Sequence, residues 1–287
     1  SRANAQIHDA TGLTVATAQK IELARELEAA CLRADSRIKA VRSAHFSENE
    51  WESLLLDSTG SKLEEAGSRF SLSLTCKAEE NGDAQMGGDF SFSPTLSELA
   101  LEVTAVRAAH YATELLGAGS GPTRVMPAVF RNSVVAELLE FLSSSFSAEE
   151  IDKGRSLLAG KEGQKLFAPI CTLIDDGTLT GGYGSGMFDG EGTPTGRREL
   201  ISEGVYRESL YDLYYAKKLG RKPTGSCSRS IKSPPSISAS NLFLAAGQTA
   251  PTDLEREAGD GILITDLMGI HTANPVTGDF SLGASGI

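Results

Sequence analysis

Hydrophobic residues in the first third of the chain follow two different periods. Between Thr14 and Ala34 they recur at three- and four-residue steps, which predicts an amphipathic helix. From Phe70 to Ala78 they alternate with mostly polar residues, as in a strand with one buried face. Asn81-Gly82 follows, and it predicts a type I′ hairpin turn because both central positions of that turn need positive φ.

Shorter patterns complete this first module. We expect strands at Arg37–Phe46 and Trp51–Leu56. Three apolar residues lie on the return strand of the hairpin: Met86, Phe90 and Phe92. A second helix is predicted to begin at the capping box Thr95-Leu96-Ser97-Glu98 and to stop at Gly117. Its predicted apolar face has four members: Leu99, Val103, Val106 and Leu115.

A small-residue stretch, Ala118 to Pro122, reads as a linker between two domains. Residues 1–117 are predicted to form a helix–antiparallel sheet–helix module, and residues 122–287 a strand-rich C-terminal domain. The fold class predicted for the whole chain is therefore α+β. The last residues read as a turn and a strand just begun, so we expect the C-terminal domain to be truncated at its end.

The C-terminal half begins with a predicted strand at Arg124–Phe130 and a helix capped by Asn132. A glycine-rich stretch follows farther along, then a helical turn or two at Leu210–Leu219. Two later segments, Asn241–Ala245 and Gly261–Met268, are typical of strands.

Composition narrows the range of functions. The 287 residues carry 27 basic and 38 acidic side chains, a net charge of −11 that argues against direct nucleic-acid binding. No apolar run is long enough to span a bilayer, and the N-terminus lacks the apolar core of a signal peptide. The four cysteines are far apart in sequence and are expected to be buried, reduced thiols. These observations favour a cytoplasmic protein.

Neither a metal site nor a nucleophile emerges from the spacing of reactive residues. The four histidines, His8, His45, His110 and His271, include no pair at the i, i+4 spacing of a zinc-binding helix. No Gly-x-Ser-x-Gly elbow is present. The stretch Gly181–Gly186 lacks the Gly-Lys-Ser/Thr ending of a phosphate-binding loop, so it is interpreted as a tight or mobile loop.

Two groups of charged residues are candidates for contacts. The carboxylates Asp175, Asp176, Asp189 and Glu191 could hold a hard cation, although Asp-Gly and Glu-Gly pairs more often simply make turns. No acidic residue lies between Asp212 and Asp253, where six basic residues cluster. This basic stretch could meet an acidic partner or a peptide carboxylate, or it could be a solvated loop.

Four motifs in the C-terminal half are distinctive. They are Gly186-Met-Phe-Asp-Gly-Glu-Gly-Thr-Pro-Thr-Gly-Arg-Arg198, Leu210-Tyr-Asp-Leu-Tyr-Tyr-Ala-Lys-Lys-Leu-Gly220 with Pro223-Thr-Gly225, Gly261-Ile-Leu-Ile-Thr-Asp-Leu-Met-Gly269, and Val276-Thr-Gly-Asp-Phe-Ser-Leu-Gly-Ala284. Together, in this order, they closely resemble the TldD/TldE (PmbA) family, often described as modulators of DNA gyrase. The resemblance is specific from Gly121 to Ile287 and weaker before it. Residues 1–117 would then be the family's central domain, without its N-terminal module.

The resemblance implies a two-subunit peptidase that encloses its active site in a chamber and takes unfolded or flexible peptides. The TldD-type subunit of the family carries a His-Glu-x-x-x-His zinc helix, and the TldE-type subunit does not. At the corresponding place this chain has Asn132-Ser-Val-Val-Ala-Glu-Leu-Leu-Glu140, and no histidine lies between His110 and His271. No zinc ligand can be carried over.

We therefore expect a TldE-type, metal-free and non-catalytic subunit, with zinc in a TldD-type partner (a heterodimer), or a homodimer in isolation. Candidate contacts with substrate or partner are Asp189, Glu191, Arg197, Lys217, Lys218, Arg221 and Lys222. Two alternatives stay open. One is a non-proteolytic interaction protein that modulates DNA gyrase or a toxin–antitoxin system, and the other is a homodimeric hydrolase with a distributed site.

Overall fold

The structure, a computed structural model, describes four stretches of the chain: residues 7–58, 60–121, 123–274 and 276–287. They belong to two compact units. The N-terminal unit comprises the described residues from 7 to 123 together with residues 180–183, and the C-terminal unit comprises those in 124–179 and 184–287.

The N-terminal unit is a three-stranded antiparallel sheet with helices packed on one of its faces. Its elements, in chain order, are α1 (Ala10–Leu13), α2 (Thr17–Ala34), β1 (Ile38–Leu56), β2 (Lys62–Glu80), β3 (Asp83–Ser93) and α3 (Leu101–Thr113). The strand order is β1-β2-β3. The helix predicted from Thr14 thus begins three residues later, after the separate short helix α1.

The hairpin between β2 and β3 confirms the prediction made from Asn81-Gly82. Both residues have positive φ, 51° and 85°, and Glu80 pairs with Asp83 directly beside the turn. Strand structure is confirmed over both Arg37–Phe46 and Trp51–Leu56, but the predicted break between them was wrong. β1 is one strand from Ile38 and pairs with β2 down to Leu56 opposite Lys62. The polar residues between the predicted strands belong to a part of β1 that is mostly exposed to water.

The strand predicted from the alternation at Phe70–Ala78 is confirmed and lies within β2. Its five apolar side chains are buried and face the helices: Phe70, Leu72, Leu74, Cys76 and Ala78. Leu27, Ala30 and Cys31 of α2 pack into the same core. This side of the sheet therefore follows directly from the period-two pattern.

The predicted apolar face of α3 was wrong within the helix, although Leu99, just before it, packs against the core. Val103 and Val106 are 52% and 47% exposed, whereas a row of small residues is buried: Thr104, Ala105, Ala108, Ala109 and Ala112. The cause is a close approach to Gly87 of β3, where an added Cβ would lie 2.2 Å from the backbone nitrogen of Ala112. Only small side chains fit at that separation, so steric fit decides the buried face rather than hydrophobicity.

Both predicted helix caps were wrong as well. Thr95 makes no capping hydrogen bond with its side chain. Instead Ser93 accepts from the Thr95 N–H at 3.1 Å and donates to Glu98 at 2.8 Å. Asn132 is the first helical residue after an Arg131 N-cap and does not cap its helix with its side chain.

The C-terminal unit combines short strands with short helices. Its elements are β4 (Ala128–Phe130), α4 (Asn132–Ser143), α5 (Ala148–Asp152), β5 (Leu173–Asp176), β6 (Arg197–Ser202), β7 (Val205–Tyr206), α6 (Leu213–Leu219), β8 (Cys227–Ser230), β9 (Ser233–Ile237), β10 (Leu242–Leu244), α7 (Pro251–Ala258), β11 (Ile262–Met268) and β12 (Gly283–Gly286). The predicted strands at 241–245 and 261–268 and the helix within 210–219 are confirmed as β10, β11 and α6. The strand predicted from Arg124 begins only at Ala128.

Three sheets organise the described part of this unit. They have the orders β10-β5-β6-β7, β12-β11-β4 and β8-β9, and β4 runs parallel to β11. A core that includes Phe146, Leu173, Leu200, Tyr206 and Leu210 lies against the first of them. The two units together confirm the α+β class. Among the described helices, none is both long and apolar enough to cross a membrane.

Candidate functional site: the signature loop and the basic segment

Residues 184–196, the signature loop, form the second part of the connection between β5 and β6 and are held in place by Asp189. This carboxylate is 9% exposed. Its Oδ1 accepts from the backbone N–H groups of Glu191 and Thr193, both at 2.9 Å, and its Oδ2 accepts from the N–H of Cys227 at 3.0 Å. Asp189 thus closes the turn of the loop and ties it to β8.

Glu191 extends from the same turn towards α6. Its Oε2 accepts from the Leu213 N–H at 2.8 Å, and the Asp212 carboxylate accepts from the Tyr215 N–H at 2.7 Å. Two carboxylates therefore satisfy free N–H groups in the first turn of α6, where negative charge is favourable. The predicted candidates Asp189 and Glu191 both lie beside structural backbone donors.

Two glycines allow the signature loop to lie directly against its neighbours. A Cβ at Gly190 would fall 2.7 Å from the Cβ of Arg229. Gly225 has φ +71° and an added Cβ there would meet the carbonyl oxygen of Pro194 at 2.3 Å. Larger residues would separate the loop from β8 and from the segment that precedes it.

Asn241 holds the N-terminal end of the loop. Its side-chain oxygen accepts from the Gly184 N–H at 2.9 Å, and its side-chain nitrogen donates to the Asp176 carbonyl at 2.6 Å and to Ser185 Oγ at 3.0 Å. Ser185, itself buried, donates to the Leu179 carbonyl at 2.6 Å. The amide thus makes hydrogen bonds to three separate groups in a confined space.

Asp175 is a second buried carboxylate near this network. It is 2% exposed, and it accepts from the Ser240 N–H at 2.7 Å. Burial raises the pKa of Asp175, and the hydrogen bonds and the charge of Arg198 oppose that rise. Arg198 in turn donates to the Thr224 carbonyl at 3.0 Å. This hydrogen bond anchors the beginning of β6 to the segment before β8.

Cys227 lies next to the signature loop but is unsuited to nucleophilic chemistry. The thiol is buried, and burial together with the charges of Glu191, Asp189 and Asp212 raises its pKa to about 12. The thiolate population at neutral pH is therefore negligible. The negative field around Cys227 opposes the ionisation that a catalytic cysteine needs.

Among the predicted contact candidates in the basic segment, residues 217–232, Lys217 and Lys222 form no ion pair within the described residues. The other predicted candidates are paired. Lys218 contacts Asp152, and its ammonium group lies 5.7 Å from the centre of the Tyr215 ring. Arg221 pairs with Glu162 at 2.7 Å, and Arg197, on β6, with Glu199 at 3.2 Å. Lys217 and Lys222 are thus the candidates with uncommitted charge.

The described residues contain no group of three or more His, Cys, Asp or Glu side chains placed to hold a metal ion. Asp175 and Asp176 instead bind backbone N–H groups, and Asp176 also binds the Thr178 hydroxyl at 2.7 Å.

A groove of about 720 Å³ lies between α2 and β1 in the N-terminal unit. Lys20 crosses it to Glu48 at 2.6 Å, and none of the predicted site residues lines it.

Sequence reasoning missed Asn241, Ser185, Thr224 and Asp175 as organisers of the loop. The spacing of the motifs groups residues 186–198 and 223–225, but it gives no sign that Asn241 reaches back across 57 positions to Gly184. Asn-Leu-Phe-Leu reads simply as the start of a strand. A single polar residue before an apolar strand carries no signal of its own.

Each of the two units matches a domain model of one protein family. Residues 123–287 match the PmbA/TldA metallopeptidase C-terminal domain, and residues 11–116 match the PmbA/TldA metallopeptidase central domain. The chain belongs to the PmbA/TldD family. The resemblance found in the motifs is thereby confirmed.

Curated relatives carry both names of the family. The chain is 28% identical over 269 residues to the metalloprotease PmbA of Escherichia coli O157:H7, covering 93% of this chain and 58% of that protein. It is also 28% identical over 255 residues to a metalloprotease TldD homologue of Haemophilus influenzae, covering 85% and 53%. The chain spans between half and two thirds of the length of these relatives.

A solved structure shares the fold. A protein from Thermotoga maritima, described as a proposed modulator of a DNA gyrase, superposes with a TM-score of 0.91 at 26% identity. The match covers 98% of this chain and 64% of that one. Both units of the chain thus have counterparts in a known structure.

Proposed function

We propose that this chain is the metal-free subunit of a two-subunit peptidase that acts on unfolded or flexible peptides. In this proposal the partner is a TldD-type subunit that carries the zinc-binding His-Glu-x-x-x-His helix. The chain would complete the chamber around the active site and part of the path of the substrate. Its membership of a metallopeptidase family supports the reaction class.

The observation that carries the proposal is the composition of α4. This helix, Asn132–Ser143, stands where the resemblance places the zinc helix, and it contains no histidine. The sequence has no histidine from 111 to 270. A zinc site needs at least three nitrogen, sulfur or oxygen ligands, and a peptidase site keeps a further position open for water.

The signature loop supports a scaffolding role. Asp189 and Glu191 are bound to backbone donors on β8 and α6, so in this proposal they shape the wall of the chamber. Lys217 and Lys222 carry uncommitted positive charge, and we propose them as contacts to an acidic surface of the other subunit or to a peptide carboxylate.

The test is metal analysis and peptide hydrolysis on the lone chain and on the chain co-expressed with a PmbA/TldD-family subunit that has His-Glu-x-x-x-His. We expect co-purification, one zinc per complex and hydrolysis by the complex only. A complex in which that partner's two histidines are changed to alanine is the matched control. Stoichiometric zinc and hydrolysis in the lone chain would overturn the proposal.

A further inference from the structure

The outer half of the hairpin formed by β1 and β2 projects beyond the third strand of the sheet. β3 pairs with β2 only from Phe70 onward, whereas β1 and β2 stay paired to Leu56 opposite Lys62. We call residues 51–56 and 62–67 the arm. At about 3.3 Å per residue it is roughly 20 Å long. A two-stranded ribbon of this kind is only marginally stable when both its faces are in water.

Both faces of the arm are apolar near its tip. Leu54 and Leu56 lie on one face and are 58% and 64% exposed. Leu55 and Leu63 are paired across the strands on the opposite face, where they are half-buried. Three consecutive leucines at the end of an exposed ribbon form an apolar surface that is unfavourable in water. Such a surface indicates a site that another chain covers.

The arm is also acidic. Residues 51–67 contain four carboxylates and one basic side chain. Lys62 pairs with Glu64 at 2.7 Å, and Glu52 forms no ion pair within the described residues. An apolar tip with an acidic stem calls for a partner surface that combines exposed apolar side chains with positive charge.

The same chain carries such a surface in its basic segment and the adjoining α6. Residues 213–252 contain six basic side chains and no acidic one. Leu213 and Tyr214 are 47% and 63% exposed on α6, and Ile231 is fully exposed. Lys217 lies on the same helix and Lys222 follows it, and neither forms an ion pair within the part of the chain that the structure describes.

We propose that the arm of one subunit docks on the basic segment and α6 of a second copy of this chain. The leucines of the arm cover the apolar side chains of α6, and Glu52 and Glu64 face Lys217 and Lys222. Here Lys217 and Lys222 contact a second copy of this chain rather than a TldD-type subunit or a peptide. The inference therefore does not rest on the proposed function, because the complementary surfaces both belong to the lone chain.

The first experiment is sedimentation velocity of the lone full chain as a function of concentration and salt. We expect self-association that weakens as salt rises. L54S/L56S should weaken it by about a hundredfold, since two leucines lose their burial. V103S/V106S is the matched control, because these valines are similarly exposed on α3, and it should associate like the wild type. Circular dichroism confirms that each variant is folded.

The second experiment exchanges charge between copies. E52K/E64K alone and K217E/K222E alone should each be monomeric, and an equal mixture of the two should associate again. Rescue in the mixture requires contact between different chains. A wild-type chain that stays monomeric, or arm variants that associate like the wild type, would overturn the proposal. Zinc content and hydrolysis of the complex are measured separately, so either proposal can fail alone.

Discussion

The Asp189 carboxylate accepts a hydrogen bond from the backbone N–H of Cys227 at 3.0 Å, across 38 positions of sequence. This bond joins the turn of the signature loop to the first residue of β8. Because the same carboxylate also binds the N–H groups of Glu191 and Thr193, one side chain fixes both the shape of the loop and its location. The Asp189 carboxylate of the motif thus has a structural role in this chain.

Removal of that carboxylate should destabilise the C-terminal unit. Asp189→Ala leaves three backbone N–H groups without their acceptor, and we expect a loss of about 3 kcal/mol in the free energy of unfolding. Asp189→Asn should restore only part of it, because an amide offers one acceptor oxygen. Urea denaturation measures the effect, and Asp266→Ala, at an exposed aspartate, is the control. Equal stability of Asp189→Ala and wild type would contradict the architectural role.

Burial of Asp175 predicts a specific pH dependence of stability. Its folded-state pKa is raised, so the folded protein holds this proton more tightly than the unfolded chain does. The contribution of Asp175 to stability is therefore greatest at low pH, and it falls as the pH rises from about 4, the pKa of an unfolded aspartate, through the raised folded-state pKa.

Asp175→Asn keeps an acceptor for the Ser240 N–H and removes the titration. Relative to this variant, the wild type should lose stability between pH 4 and pH 7. Unfolding free energies at several pH values provide the comparison, with Asp266→Asn, at an exposed aspartate, as the control. If the stability difference between wild type and Asp175→Asn stays constant with pH, or changes in the opposite direction, the folded-state pKa of Asp175 is not raised.

The features of this fold differ in how much of their physical basis is visible in the sequence. The alternation from Phe70 to Ala78 and the Asn81-Gly82 turn depend on neighbours in the chain, and both were predicted. The buried face of α3 depends on how closely its backbone approaches Gly87, a contact set by two elements that pack face to face. Asp189 was singled out for its motif, but its bond to Cys227 exists only in the folded chain.

The close approach at Gly87 can be tested directly. Gly87→Ala would place a Cβ 2.2 Å from the backbone nitrogen of Ala112 and 2.6 Å from the carbonyl oxygen of Ala108. Backbone atoms of a helix cannot move aside without repacking, so we expect a loss of about 3 kcal/mol in stability. Gly119→Ala is the control, since nothing lies within 4 Å of an added Cβ there. Thermal unfolding of both variants measures the effect. Equal stability of Gly87→Ala and Gly119→Ala would contradict the close packing of α3 against Gly87.

Thiol reactivity should separate the four cysteines. Cys31, Cys76 and Cys227 are buried, and Cys171 is the most accessible of the four. Burial raises the pKa of the Cys171 thiol as well, so its reaction should be slow but measurable. At pH 8 we expect one thiol per native chain to react with Ellman's reagent and all four after denaturation. Native Cys171→Ser should then show none, and fast modification of a second thiol would contradict the described burial.

Asn241 offers the sharpest test of the loop network, because two substitutions should differ with pH. Asn241→Ala leaves the Gly184 N–H and the Asp176 carbonyl unpaired, at a cost of about 2 to 4 kcal/mol. Asn241→Asp keeps an acceptor for Gly184 but directs a negative charge at the Asp176 carbonyl, close to the buried carboxylate of Asp175.

Asn241→Asp should therefore be less stable than Asn241→Ala at pH 7. Desolvation and the nearby charge raise the pKa of the new carboxyl in the folded state, so its destabilising effect disappears as the pH falls through that value. A protonated carboxyl can also donate to the Asp176 carbonyl, which the alanine cannot do. The stability order of the two variants should accordingly reverse near pH 4, and urea denaturation at both pH values measures it. An order that is the same at both pH values would mean that Asn241 does not donate to the Asp176 carbonyl in the folded protein.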